Sequence, residues 1–425
     1  MVESAQMTNQ KRLKVLLCCY ACDPYQGSEP GTGWQFVRHI SQHHNIHVIV
    51  EAKFQKNIEA YAELHPDEFL HVSFHFIKRR RRKLLRKIWP PSYYWYYRKW
   101  QKDAYKYALQ LHEQENFDLV HQITLVGYRA PGYLWKLQMP FIWGPIGGLN
   151  QTSWKLLPSM GVYGCIFYTF RNLINLYQRR WSRLAKKAAS HAHTVIATDP
   201  DSSILIRHLW GKTPLIMREV GVNEPNDSSE PSNHADGTPL HVCWAGVHTP
   251  RKALNLLIQA LPLCKQNIHL NVLGDGPCSP NWQKLARKLE VDHLVTFHGK
   301  IPHHQVFDIM SQSHVFCISS LSEGGTPNIV MEALQQGLPI IALNHCAFAS
   351  VVNDSCGIKI DINSTRQIIQ DFAAALDKLA SDESMRRILA RGAFERSKQY
   401  TWKTKAEILD CLYREATCNS RTEKQ

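Results

Sequence analysis

The sequence has no apolar run long enough to cross a bilayer, which takes roughly 18 to 20 consecutive residues. Of its 425 residues 44% are hydrophobic, a share typical of globular proteins and sufficient for two domains. The start of the chain is polar, and the short apolar stretch LKVLLCCYAC behind it lacks the pattern of a secretory signal peptide. We therefore expect a cytoplasmic protein without a membrane span.

Paired cysteine motifs are scarce. The 12 cysteines are scattered through apolar runs such as VFCIS and HVCWAG, and only Cys19 and Cys22 form a CxxC pair. A disulfide framework belongs to oxidising compartments, and most cysteine metal sites need a second pair. A DxD pattern in a suitable place is missing as well. We therefore expect no metal site and no cofactor.

Acidic residues are nearly absent from one segment of a chain whose net charge is +14. Lys78–Lys106 alternates Lys and Arg with Trp and Tyr, and its only acid is Asp103. Such a segment binds nucleic acid, anionic lipid or acidic sugars, or is a solvated helix face. No helix-turn-helix, RNP or zinc-finger pattern accompanies it, so we expect no nucleic acid. Acidic sugars remain an alternative, and we expect peripheral attachment to an anionic membrane, on its inner face.

The stretch from Val315 to Leu343 reads as a βαβ unit. The apolar run VFCIS predicts a buried strand, a loop and an amphipathic helix follow, and PIIAL predicts the next strand. Gly324 and Gly325 remove side chains where a ligand would approach the backbone, and Asn328 heads the helix, where free N–H groups favour an anion. The pattern suits a diphosphate. It also fits an ordinary βα loop with a solvated Glu323.

A second glycine-rich loop, DPYQGSEPGTG, follows the first predicted strand, and a helical pattern begins at Trp34. The dinucleotide fingerprint GxGxxG is absent from it. Later the run FDLV predicts a short strand that ends on His121. A histidine at the carboxyl end of a parallel strand lies at the rim where ligands bind, although a rim histidine bonded to a loop is equally compatible with the pattern.

Residues 319–338, SSLSEGGTPNIVMEALQQGL, resemble the signature of glycosyltransferase family 4, whose members are retaining and use nucleotide sugars. The family pattern has a Glu before EG-x-P and a second Glu in the helix. Glu323 and Glu332 are separated by eight residues, one more than in the family, and Glu332 keeps the register. GSEPG-x-GW, D-x-VH and WGPIGG resemble the first domain of a bacterial branch of the same family.

The segment AGVHTPRKA resembles the family motif GR-x-x-x-x-K-G. Lys252 matches the diphosphate-binding Lys of the motif. The position of the family Arg is occupied by Val247, and the resemblance suggests that Arg251 replaces it. Alternatively, Arg251 is only a solvated residue at the start of the helix.

The resemblance implies a GT-B fold, with two Rossmann-like doubly wound parallel-sheet domains that face a cleft. The expected parts are an acceptor-side domain at 12–222, a linker at 223–239, a nucleotide-sugar domain at 240–398 and a terminal helix at 399–418 that packs back on the first domain.

The implied function is transfer of a sugar from a nucleoside-diphosphate sugar to a glycan or lipid-linked acceptor, with retention, in polysaccharide or glycolipid biosynthesis. The catalytic residues expected are His121 and Glu323, and the substrate-binding residues are Gly27, Gly31, Arg251, Lys252, Gly324, Gly325, Thr326, Pro327, Asn328 and Glu332. A GT-B epimerase, a phosphorylase or a non-catalytic nucleotide-sugar-binding protein would share this scaffold.

Overall fold

The computed structural model describes residues 11–80, 92–224 and 237–422, which form two parallel α/β domains. The strands of the first are β1 (Lys14–Cys19), β2 (Asn45–Glu51), β3 (Val72–Ile77), β4 (Leu119–Thr124), β5 (Phe141–Ile146), β6 (Thr194–Ala197) and β7 (Leu215–Ile216). Neighbouring strands are all parallel, in the order β3-β2-β1-β4-β5-β6-β7. Strand β1 is buried at five of its six positions, because helices cover both faces of the sheet.

Helices connect successive strands of this sheet, as in other doubly wound folds. They are α1 (Ser28–Ile40), α2 (Gln55–Leu64), α3 (Ser92–Glu115), α4 (Gly161–Trp181), α5 (Arg183–His191) and α6 (Pro200–Trp210). The side chain of Asp199 accepts a hydrogen bond of 2.8 Å from the backbone N–H of Ser202, which caps α6. Within the described ranges no helix is both long and apolar enough to span a membrane.

The second domain repeats the plan with six parallel strands in the order β10-β9-β8-β11-β12-β13. These are β8 (Leu240–Ala245), β9 (Ile268–Leu273), β10 (Val295–Gly299), β11 (Val315–Ile318), β12 (Ile340–Leu343) and β13 (Gly357–Ile360). Its helices are α7 (Leu254–Ala260), α8 (Ser279–Lys288), α9 (His303–Ser311), α10 (Asn328–Gln335), α11 (Thr365–Ser381) and α12 (Glu383–Lys398). The predicted βαβ unit is present as β11, α10 and β12.

The strand order reverses between β1 and β4 in the first sheet and between β8 and β11 in the second. Open α/β sheets bind ligands in the crevice outside the carboxyl ends of the strands at such a point. The predicted class, two doubly wound parallel sheets that face a cleft, is confirmed. Each domain has its own buried core, and the two cores are separate clusters.

The end of the chain returns to the first domain. Helix α13 (Trp402–Thr422) follows α12, and its buried residues Trp402, Leu409 and Tyr413 belong to the core of the first domain. The ring of Trp402 packs edge-on against Phe36, with centroids 5.2 Å apart. Of the predicted linker 223–239, residues 225–236 lie outside the described part of the chain.

One sequence prediction about the first domain needs correction, and the structure adds detail to a second. Helix α1 begins at Ser28 rather than Trp34, because Pro30 suits the first turn of a helix and Glu29 suits its positive end. The basic segment Lys78–Lys106 does not place all of its aromatic side chains at the surface. Residues 81–91 lie outside the described part, and Trp100 is buried in α3, where its indole N–H donates to the Ile77 carbonyl at 2.9 Å.

Candidate functional site

A large cleft lies between the two domains and has a volume of about 1270 Å³. Loops from the carboxyl ends of strands in both sheets line it. The first domain contributes the start of α1 and the turn at Gly147 and Gly148, and the second contributes residues 245–247, 251–252 and 323–329. The two strand-order reversals therefore open into one shared space.

Two cations lie side by side on the wall formed by the second domain. Arg251 and Lys252 occupy a short 3-10 turn, Pro250–Lys252, just before α7. The backbone carbonyl of Arg251 accepts from the N–H of Leu321 at 2.7 Å, and that of Lys252 accepts from the hydroxyl of Ser319 at 2.9 Å. These bonds tie the turn to the end of β11. The sheet of the second domain therefore fixes the backbone positions of both cations.

Glu323 forms ion pairs with both cations. Its Oε1 lies 2.6 Å from Lys252 Nζ, and its Oε2 lies 2.5 Å from Arg251 Nη1. Burial alone would raise the pKa of Glu323, but the charges of Lys252 and Arg251 outweigh burial and lower it. Glu323 is therefore an ionised counter-ion of the two cations. A diphosphate at Lys252 would have to share these cations with the Glu323 carboxylate.

The loop that follows Glu323 leads directly into α10. Pro327 precedes the helix, Asn328 is its first residue, and Thr326 is 3% exposed. The first N–H groups of an α-helix lack partners inside the helix, so this end presents donors and a partial positive charge. Across the cleft the N–H of Gly148 donates to the Gly324 carbonyl at 2.9 Å. The loop therefore lies between the two domains.

Glu332 lies one helical turn inside α10 and also lines the cleft. Its Oε1 is 3.2 Å from Nε2 of His303, the first residue of α9, and this hydrogen bond raises the pKa of His303. Because the His303 side chain is 67% exposed, the pair is open to solvent. Glu332 is thus separated from Glu323 by the glycine loop and has a different set of contacts.

The first domain supplies a wall of aromatic and cationic side chains. Gly27 caps α1, and both Gly27 and Gly31 line the cleft. A Cβ on Gly31 would lie 2.3 Å from the carbonyl oxygen of Gln26, so the tight approach of loop to helix requires glycine there. Opposite, the cleft is lined by Tyr93, Tyr97, Arg129 and Arg171. Tyr93 and Tyr97 belong to the segment Lys78–Lys106 that the sequence singled out, whereas sequence reasoning missed Arg129 and Arg171, since no local motif marks them.

His121 does not lie at the rim. The prediction that its strand ends at His121 is wrong, since β4 runs on to Thr124 and buries the imidazole completely. Its Nδ1 lies 2.6 Å from the Tyr413 hydroxyl, and its Nε2 lies 2.9 Å from the Gly144 carbonyl oxygen. Both ring nitrogens thus have partners within the core beneath α13. The residue does not line the cleft.

Burial lowers the pKa of His121 to about 4, and the hydrogen bond to Gly144 only partly opposes this. A folded-state pKa below the ordinary 6.5 means that the stabilising contribution is present above pH 6.5 and is lost as the pH falls towards 4. We expect the free energy of unfolding to drop by about 1–2 kcal/mol between pH 7 and pH 5 from this group alone. In urea titrations at both pH values, His121→Gln should show a smaller drop than wild type.

The matched control is His208→Gln, because His208 is exposed on α6. It should keep the wild-type pH dependence. If His121→Gln and His208→Gln give the same pH dependence, a neutral buried imidazole at position 121 does not contribute to it.

Glu219 is a further residue that sequence reasoning missed. Its side chain is 7% exposed and lies against the glycine loop, where a Cβ on Gly325 would be 1.8 Å from Oε1. Burial raises the pKa of Glu219 to about 7, although Lys405 and the N–H of Thr326 oppose that shift. Burial also lowers the pKa of Lys405, on α13, to about 7. Glu219 therefore links the loop to the returning terminal helix.

Residues that could hold a metal are not clustered in the cleft. Within the ranges described, no group of three or more His, Cys, Asp and Glu side chains is placed to bind a metal ion. Charged side chains of both signs line the cleft instead, and its cations are Arg129, Arg171, Arg251, Lys252 and Lys300. The adjacent cations Arg251 and Lys252 are the part of the cleft that suits an anion.

Comparison with known proteins supports the assignment of the second domain. Residues 226–396 match the family model for glycosyl transferases group 1. The second domain is therefore similar to the group 1 glycosyltransferase domain over this range. A curated relative, the protein of Escherichia coli strain K12 named as the colanic acid biosynthesis glycosyltransferase WcaL, is 26% identical over 262 residues. The match covers 56% of this chain and 61% of the length of WcaL.

Solved structures match nearly the whole chain. Anabaena Alr3699/HepE, solved in complex with UDP, gives a TM-score of 0.64 at 14% identity, covering 95% of this chain and all of that one. The lipopolysaccharide outer core galactosyltransferase WaaB gives a TM-score of 0.63 at 14% identity, covering 97% of this chain and 100% of that one. The fold is GT-B. At these identities the structural likeness applies to the fold alone.

Proposed function

We propose that this protein is a retaining glycosyltransferase, which takes a sugar from a nucleoside diphosphate and transfers it to a glycan or lipid-linked acceptor. The observation that carries the proposal is the convergence of Arg251, Lys252 and the N-terminus of α10 on one interdomain cleft. Two fixed cations beside a helix N-terminus suit a diphosphate leaving group. The family match of the second domain and the polysaccharide named for WcaL support a role in glycan biosynthesis.

The donor would lie along the second domain. In this proposal the diphosphate contacts Lys252, Arg251 and the backbone from Gly324 to Asn328, and the nucleoside ribose contacts Glu332. Arg251 would replace the family arginine, since Val247 has no charge and its side chain is 59% exposed. The UDP in the Anabaena structure makes UDP and its sugars the first donors to test.

The acceptor would lie on the first domain, between the start of α1 and the wall of Tyr93, Tyr97, Arg129 and Arg171. Tyrosine offers an apolar ring with a polar hydroxyl, which suits the mixed surface of a sugar. The two arginines make this wall suitable for an acceptor that carries an acidic group or a phosphate.

The chemistry that these residues support is stabilisation of charge on the leaving diphosphate. As the bond from the anomeric carbon to the phosphate oxygen breaks, negative charge grows on the diphosphate, and fixed cations and N–H donors stabilise it. The leaving phosphate oxygen then takes the proton of the acceptor hydroxyl, which attacks the same face of the sugar. The proposal assigns no proton transfer to His121, because it is buried away from the cleft, and it requires no metal.

Glu332→Gln should weaken donor binding more than Glu323→Gln does. Glu332 is proposed to accept the ribose hydroxyls, whereas loss of the Glu323 charge would free Lys252 and Arg251 for the diphosphate. Isothermal titration with a UDP-sugar measures both affinities. If Glu323→Gln is the weaker binder, Glu323 is the principal sugar contact and the loop must be aligned differently.

A donor screen tests the proposal as a whole. Thermal shift across nucleoside diphosphates and their sugars should identify a binder, and that donor should then be hydrolysed slowly to free sugar and nucleoside diphosphate without acceptor. A binder that is never hydrolysed or transferred would indicate a non-catalytic binding protein. A change at the sugar without its release would indicate an epimerase, and turnover that needs added inorganic phosphate would indicate a phosphorylase. Any of these three results contradicts a transferase.

A further inference from the structure

Helix α4 (Gly161–Trp181) exposes an apolar face along its whole length. Nine large apolar side chains on it are about half exposed or more: Val162, Tyr163, Ile166, Phe167, Phe170, Leu173, Ile174, Tyr177 and Trp181. Six of them, from Tyr163 to Trp181, recur at alternating intervals of three and four residues, which places them in one stripe. A surface helix of a globular protein normally turns such a stripe towards the core.

The opposite side of the helix is polar and fixed to the protein. Asn172 is 2% exposed, and its side chain accepts from the N–H of Thr152 at 3.0 Å and donates to its carbonyl at 2.8 Å. Asn175 is 4% exposed and accepts from the Tyr128 hydroxyl at 2.8 Å. Because these buried bonds fix the rotation of α4, the apolar stripe points outward as a feature of the fold.

The chain segment that contains the stripe carries basic side chains and no acidic ones. From Leu119 to Thr198 the sequence contains no Asp and no Glu. Exposed basic side chains follow the stripe at the end of α4 and along α5: Arg180, Arg183, Lys186 and Lys187. The partner of this face must therefore accept apolar and aromatic side chains and supply negative charge nearby.

We propose that the apolar face of α4 and its basic end dock the protein on an anionic lipid bilayer, with the helix lying in the plane of the interface. Aromatic and aliphatic side chains on one face, with Lys and Arg beside them, are the composition of interfacial helices. A second copy of this chain fits less well, because the same segment of the copy carries no acid that could neutralise the basic end.

The face lies next to the cleft. Arg171 on α4 lines the cleft, and a Cβ on Gly164 would contact Pro250, the neighbour of Arg251, at 3.1 Å. Docking through α4 would hold the cleft beside the lipid surface, where a lipid-linked acceptor resides. This consequence rests on the proposed function, but the docking itself does not. The surface also differs from the predicted segment Lys78–Lys106.

Vesicle flotation tests the docking with the full chain. Wild type should float with vesicles of phosphatidylcholine and phosphatidylglycerol at low salt. Phe170→Ser with Tyr177→Ser should lower the partition coefficient by about tenfold or more, because two apolar groups no longer enter the interface. The matched control is Leu64→Ser with Leu70→Ser, since those side chains are 70% and 74% exposed on another surface. That control should bind like wild type.

A charge-matched pair of variants tests the basic end. Arg180→Gln, Arg183→Gln and Lys187→Gln together should reduce binding by roughly fivefold for each charge at low salt, and by less at high salt. Arg98→Gln, Lys99→Gln and Lys102→Gln remove three exposed charges from α3 instead and should have little effect. If the wild type does not float, or if either control loses as much binding as its partner, the proposal is wrong.

Two further measurements separate a bilayer from other partners. The fluorescence difference between wild type and Trp181→Phe should shift to the blue when anionic vesicles are added, since the indole enters a less polar medium. Light scattering after gel filtration without lipid should show a monomer; a dimer that Phe170→Ser with Tyr177→Ser dissociates would make the face a protein interface and overturn the proposal. Phe170→Ser with Tyr177→Ser should hydrolyse the donor at the wild-type rate, because neither residue lies in the proposed site. A loss of vesicle binding can therefore be told apart from a failure of the proposed function.

Discussion

Replacing Lys252 by Ala is expected to lower donor affinity or turnover by at least tenfold. Lys252 is 7% exposed and faces the cleft, so its ammonium would meet a diphosphate with little competition from water. A hydrogen bond to a charged group is typically worth about 1.5–3 kcal/mol. Isothermal titration with a nucleoside diphosphate and initial rates with its sugar measure the loss. Lys265→Ala, an exposed lysine of the same domain, is the control.

The ion pair with Glu323 complicates this variant, and a second variant resolves it. Without Lys252, the buried Glu323 carboxylate keeps only Arg251, and an underpaired buried charge costs stability. Lys252→Ala with Glu323→Gln removes both charges and should recover the melting temperature. Donor affinity should stay low in the double variant if Lys252 binds the diphosphate. Wild-type affinity in a folded Lys252→Ala protein would remove Lys252 from the site.

The fold could be predicted because its signals are local. The unit from Val315 to Leu343 shows an apolar run, a glycine loop, a helical period and a second apolar run in direct succession. A short apolar run alone does not distinguish a buried strand from a helix segment, but its length and the flanking glycines favour a strand. The whole succession therefore indicates a parallel sheet. The same succession recurs in both halves of the chain, which is why the two-domain class was predictable.

The burial of His121 could not be predicted, because it depends on a contact 292 residues away in the chain. The sequence FDLVH places a histidine after an apolar run but does not show that β4 continues to Thr124 or that Tyr413 covers it. The outward orientation of α4 was equally hidden. Its sequence is amphipathic, and such a pattern normally predicts that the apolar side faces the protein, the reverse of what the structure shows.

The contact between Glu219 and the glycine loop could not be predicted either, because the two are far apart in the sequence. It shows that the two glycines of the loop, Gly324 and Gly325, have different roles. Sequence reasoning gave Gly324 and Gly325 one shared role, close approach of a ligand to the backbone. In the structure they differ. A Cβ on Gly325 would lie 1.8 Å from Glu219 Oε1, whereas a Cβ on Gly324 would meet no atom within 4 Å.

Gly325→Ala is therefore expected to destabilise the protein by about 1–3 kcal/mol, the usual cost of overpacking. The Glu219 carboxylate cannot move aside freely, because it is buried beside Lys405 and the N–H of Thr326. We expect a fall in melting temperature of at least about 2 °C. Displacement of Thr326 and the start of α10 should also weaken donor binding.

Gly324→Ala is the matched control for stability, since it adds the same methyl group one residue earlier in open space. Gly324→Ala should have the melting temperature of wild type. If its donor affinity is nevertheless lower, the donor must pass close to the Gly324 backbone. A double-mutant cycle with Glu219→Ala isolates the collision: the cost of Gly325→Ala should largely disappear when Glu219 is already absent. Equal melting temperatures for Gly325→Ala and Gly324→Ala would mean that the loop does not pack on Glu219, and that both glycines serve the ligand alone.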